Sequence, residues 1–117
     1  FHFITGICKY LNIGTKIVFS SDFDLSEDRK TERLIDICRQ AGAVEYISGP
    51  LAKDYIAEDK FKDHKIKLTW MNYDNYPEYP QLYGDFEHKV SILDLLFNCG
   101  PTSMNFIHSK KEKTHEL

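Results

Sequence analysis

Three short apolar runs, at 15–19 (TKIVF), 44–47 (VEYI) and 66–70 (IKLTW), each follow a segment whose apolar residues recur at helical spacing. This alternation constrains the chain more than any other feature. A helix between two strands is the crossover that a parallel pair requires, since parallel neighbours cannot be joined by a tight turn. The expected fold is therefore α/β, with a small, mainly parallel sheet and helices packed on it. The first run is short, β-branched and continuous, as a buried strand of a parallel sheet is, and the second is another short strand. The third sets Ile66, Leu68 and Trp70 against Lys67 and Thr69, which gives that strand one wetter face.

The helical segments carry their own start and stop signals. Phe3 or Ile4, Ile7 or Cys8, and Leu11 share one face, and Asn12-Ile13-Gly14 ends it. Thr31, Leu34, Ile35, Cys38 and Ala41 repeat at helical spacing before the stop at Gly42. Asp24 with Glu27 has capping-box spacing, and Ser26 is an alternative cap. Residues 53–62 read as partly helical, through Tyr55, Ile56 and Phe61. Ser91 opens a strongly apolar helix that stops at Gly100-Pro101. Between them, residues 72–88 form a long loop rich in tyrosine and proline, and loops of that length are usually functional.

With 117 residues, one domain over 1–107 and a charged tail over 108–117 is the expectation, and the chain reads as the C-terminal part of a longer protein. A hydrophobic fraction of 42% excludes a disordered chain. A formal charge of −3 argues against nucleic acid as a partner. No apolar run approaches the roughly 20 residues of a membrane span. Cys8, Cys38 and Cys99 are odd in number and far apart, which suits small apolar side chains in a reducing cytoplasm rather than disulfides or a zinc ribbon. Asp85, Glu87 and His88 form the one acidic–histidine cluster, but such close neighbours rarely converge on one ion, so no metal site is expected. Nothing in the pattern specifies a cofactor.

In open parallel sheets, ligands bind beyond the carboxyl ends of the strands. Three polar segments stand there: Ser20-Ser21-Asp22, Ser48-Gly49-Pro50, and the loop after Trp70. Small residues at Ser48 and Gly49 let backbone N–H groups approach an anion, and a helix start behind them adds its dipole. Lys53 then becomes a phosphate partner, with Asp54 and Tyr55 beside it. The competing reading is a plain strand-to-helix turn with both charges solvated, and neither a P-loop nor a G-x-G-x-x-G decides between them. In the long loop, Tyr76, Tyr79 and Gln81 suit a sugar ring or a base, stacked on aromatic faces and hydrogen-bonded at its edges. The same tyrosines could instead rigidify the loop. Asp94 stands three residues after Ser91, as a helix cap or as a carboxylate that orients substrate or moves a proton.

The ordered set Tyr46-Ile47-Ser48-Gly49, Tyr55, Tyr76-Pro77-Glu78-Tyr79-Pro80-Gln81, Phe86 and Ser91-Ile92-Leu93-Asp94-Leu95-Leu96-Phe97-Asn98-Cys99-Gly100 resembles the WbqC-like family. That family is found in bacteria, and some members are encoded among genes for O-antigen or other surface-polysaccharide synthesis. Its members also carry an N-terminal half with a Pro-Tyr-Leu-Pro-Trp-like stretch and a polar Arg-Asn element, and this chain contains neither. The resemblance implies a cytoplasmic transferase of surface-polysaccharide precursor synthesis, acting on a nucleotide-linked sugar or an acyl or aminoacyl donor. On that reading Ser48, Gly49 and Lys53 hold an anionic group, and Tyr76, Tyr79 and Gln81 contact sugar or base. Asp54 and Asp94 orient the substrate or move a proton. Two alternatives are a non-catalytic module that binds a nucleotide sugar or a partner, and a nucleotidyltransferase-like enzyme with an α-phosphate at the Ser48 turn.

Overall fold

A computed structural model describes residues 1–25 and 30–107. The caps read at Ser26 and Glu27 and the charged tail at 108–117 lie outside the described residues. The chain forms two compact units: Phe1–Lys16 with Tyr73–Leu117, and Ile17–Asn72.

The Ile17–Asn72 unit holds the sheet. Helix α2 (Lys30–Gln40) buries Thr31, Ile35 and Cys38, the face its spacing predicts. Gly42, at φ +65°, ends it in a Schellman turn, with Ala43 N–H donating to Cys38 O (2.8 Å) and Gly42 N–H to Arg39 O (3.1 Å). Strand β1 (Glu45–Ser48) follows, then a 3-10 helix (Pro50–Asp54), helix α3 (Glu58–Asp63) and strand β2 (Lys67–Trp70). The strands pair in parallel, Tyr46 opposite Leu68 and Ser48 opposite Trp70. This is a small α/β fold on a two-stranded parallel sheet.

Alternation along the strands divides the sheet's faces. Tyr46, Leu68 and Trp70 pack on a core made of Ile35, Cys38, Ala52, Ile56, Phe61 and Ile66. Phe61 is fully buried, and its ring stacks on Tyr46 at 5.4 Å. The other face carries Glu45, whose carboxylate takes the Lys67 ammonium at 2.9 Å and the Thr69 hydroxyl. These bonds hold the Glu45 carboxyl below its usual range, Thr69 contributing most.

Residues 53–62 are helical in part, as expected: the 3-10 helix ends at Asp54, Ile56 turns into the core, and Ala57, at extended backbone angles, restarts the chain as α3. The Ala57 N–H donates to the buried Thr31 hydroxyl (3.2 Å), and Glu58 and Asp59 supply the first-turn charge that a helix start favours. Residues 15–19 form no described strand; Val18 and Phe19 stay exposed, and the chain enters a 3-10 turn (Ser20–Asp22) instead. A β-branched run becomes a strand only where a neighbour completes its ladder.

In the other unit, helix α1 (His2–Tyr10) ends at Leu11, which is buried, while Phe3 and Ile4 remain exposed. Helix α4 (Ile92–Cys99) starts where the Ser91 hydroxyl accepts from Leu93 N–H (3.2 Å). At Gly100 (φ +51°) it gives way to a 3-10 helix (Gly100–Phe106) whose buried Ser103 hydroxyl donates to Gly100 O at 2.7 Å.

Candidate functional site

Ser48, Gly49, Lys53, Asp54 and Tyr55 belong to the Ile17–Asn72 unit. The carboxyl ends of both strands coincide there, since Ser48 faces Trp70 and its carbonyl accepts from Met71 N–H (2.8 Å). Gly49 lies just before the 3-10 helix, and Pro50 takes its first position. That helix has five residues, too few for an appreciable dipole. Lys53 and Asp54 are exposed at its last turn. The Lys53 ammonium stands 5.7 Å from the centre of the Trp70 ring, and the Trp70 indole donates to Glu58 (2.9 Å). Tyr55 is exposed, with the Lys30 ammonium 5.7 Å from its ring.

Tyr76, Tyr79, Gln81 and Asp94 belong to the other unit, and the last three of them meet. The Tyr79 hydroxyl donates to Asp94 Oδ2 (2.7 Å), and Gln81 Nε2 donates to the same oxygen (3.0 Å). Gln81 also clasps the backbone of Glu87, donating to its carbonyl (3.1 Å) and accepting from its N–H (2.9 Å). The carboxamide is thereby occupied at both ends. Burial, and then the bond to Asp94, pushes the Tyr79 phenol above its usual range. Asp94 thus stands in the first turn of α4 with its carboxylate turned to the loop, while Ser91 caps the helix.

This cluster backs a cleft of about 520 Å³, within the size range of small-molecule sites. Leu95 is buried in its lining, with Tyr76, Tyr79, Phe86, Ile92 and Phe106 half-buried around it. The Tyr79 ring meets Phe86 edge-on at 5.0 Å and Phe106 at 5.9 Å. Tyr73, His88, Lys89, Val90 and Ser91 line it from exposed positions. His88 abuts Phe86 at 4.6 Å and lies 3.9 Å from the Glu78 carboxylate. Sequence reading picks out the tyrosines but passes over Phe106. The available signal is an aromatic six residues beyond the Gly100 stop, in a segment tied back by Ser103.

Cys8 and Cys99 are half-buried free thiols, and Cys38 is buried, which raises its thiol above the usual range. Among the described residues no helix is long and apolar enough to cross a membrane.

A model described as the WbqC-like protein family matches residues 1–106. The chain is 48% identical over 104 residues to the uncharacterized protein Rv1507c of Mycobacterium tuberculosis strain H37Rv. The match covers 89% of this chain and 45% of that protein, so the chain spans less than half the length of its relative. No solved structure matches it.

Proposed function

Since the chain belongs to the WbqC-like protein family, we propose that it serves a transferase of bacterial surface-polysaccharide precursor synthesis, the cleft seating part of a small-molecule donor. The observation that carries this reading is the cleft itself, an apolar cavity whose aromatic wall is fixed from behind by Asp94 and Gln81. In the Ile17–Asn72 unit, Ser48, Gly49 and Lys53 are the elements for an anionic group, at the coincident strand ends where parallel sheets accept ligands. Lys53 lies in an exposed cation–π contact with Trp70, worth about 0.5–1 kcal/mol, which an anion can outcompete. Asp54, exposed beside it, is the carboxylate open to substrate.

The engagement of Asp94 Oδ2 by Tyr79 and Gln81, and of Gln81 by Glu87, favours a second reading, a binding module in which the cleft recognises a precursor without turning it over. Turnover by the full-length family protein, assayed with nucleotide sugars against acyl and aminoacyl donors, separates the two. The transferase reading expects activity that Lys53→Ala or Asp54→Ala abolishes with folding intact. Tight nucleotide-sugar binding without turnover of any donor leaves the module.

A further inference from the structure

We propose that the cleft takes an amphiphilic anion: an apolar ring or chain that ends in a carboxylate or a phosphate. This deepens, and rests on, the reading of the cleft as the donor's seat.

The inner lining decides what body fits. Leu95, Ile92, Phe86 and Phe106 offer only hydrocarbon, and the Tyr79 proton is committed to Asp94. Tyr76 is the one half-buried lining residue left with a hydroxyl not given to that carboxylate. A sugar ring placed here would exchange water for carbon around most of its hydroxyls, and each buried polar group left unpaired opposes binding. An acyl chain or an aromatic ring meets no such cost and buries its surface against aromatic faces.

The exposed lining decides what head group follows. It contains His88 and Lys89 and no carboxylate. Glu78 approaches His88 Nε2 at 3.9 Å and the Glu87 carboxylate accepts from Lys89 N–H (2.7 Å), both from outside the lining, so the imidazole has a partner and Lys89 supplies the positive charge of the lining itself. The Ser91 hydroxyl, which uses its oxygen to accept from Leu93 N–H, keeps its proton to donate. A carboxylate or phosphate at this edge meets Lys89 and the Ser91 hydroxyl, with Glu78 and Glu87 outside the lining, while its body lies on Leu95 and Phe106.

Titration calorimetry on the whole chain with octanoate, octyl phosphate, octanol and inorganic phosphate tests this without any turnover. Loss of catalysis in Lys53→Ala therefore leaves the result untouched, and failure here leaves the catalytic test standing. One unit charge met at contact distance in solvent is worth about fivefold, so both octyl anions should bind about fivefold tighter than octanol or better. Inorganic phosphate should bind far more weakly than octyl phosphate. Lys89→Gln should erase the preference for anions and spare octanol binding. Val90→Trp, a substitution at a half-exposed position that narrows the mouth, should weaken all three octyl probes. Whichever octyl anion binds tighter separates an acyl donor from a phosphorylated one. Octanol binding as tightly as the anions, or inorganic phosphate matching octyl phosphate, overturns the proposal. So does binding that neither variant alters.

Discussion

Replacing Asp94 by alanine removes the acceptor that Tyr79 and Gln81 share. A hydrogen bond to a charged group contributes about 1.5–3 kcal/mol when well buried, and about 1 kcal/mol is the apt figure for each of these half-exposed ones. Asp94→Ala should therefore lower stability by about 2 kcal/mol, roughly thirtyfold in the folding equilibrium. Asn98, which donates to the backbone carbonyl of Asp94 (2.8 Å), is not disturbed by the change. Tyr79→Phe deletes one of the two bonds and should cost about 1 kcal/mol, and the double variant should show a coupling of similar size. Urea titrations of the four proteins measure this directly. The Tyr79 phenol supplies a second readout. Its raised folded-state value means that the native chain binds more protons, so its contribution is complete below the ordinary phenol range. That contribution is lost as pH rises through the raised value. Asp94→Ala should return the phenol part of the way, burial remaining as the larger cause. Additive single effects, or an alanine variant within about 0.3 kcal/mol of the parent, would refute the pairing.

Phe61→Ala opens the core where the ring is fully buried and stacked on Tyr46, and should cost about 3–5 kcal/mol by thermal or urea unfolding. Lys65 closes α3 at φ +57°, with Ile66 N–H donating to Phe61 O (2.9 Å), so Lys65→Gly should raise stability by about 0.5–1 kcal/mol. Glu45 has a lowered carboxyl, so its contribution is present above the ordinary carboxylate range and disappears as pH falls through the lowered value. Glu45→Gln should accordingly flatten the acid limb of the stability–pH curve and leave the neutral limb's shape unchanged.

The parts of the fold legible in the sequence are those decided locally. Helix α2 shows its buried face as Thr31, Ile35 and Cys38 and its end as Gly42, because period and left-handed turn are both written in residue type. Strand β2 shows its two faces in the same way. What depends on a distant partner is not written in residue type. The run at 15–19 has strand chemistry, but Val18 and Phe19 are exposed and form no described strand. The break between the 3-10 helix and α3 depends on Thr31, more than twenty residues away, receiving the Ala57 N–H. In the cleft, Tyr79, Gln81 and Asp94 are singled out by type, but the sequence gives no hint that they engage one another. Spacing places a carboxylate on a helix and a tyrosine on a loop; only the folded loop brings them within 2.7 Å.

That engagement changes what each group can offer a ligand. An oxygen seeking a proton from Gln81 must displace either Glu87 or Asp94, trading one hydrogen bond for another of similar worth, so the net gain is close to nothing. A methylene laid on Leu95 and Phe106 displaces only water and gains about 0.8 kcal/mol, close to fourfold in affinity. Selectivity at the cleft is then governed by apolar length and by the charge that meets Lys89. The polar triad contributes through rigidity: Gln81 closes the loop on Glu87, Asp94 ties it to α4, and the aromatic wall is held in one shape before any ligand arrives.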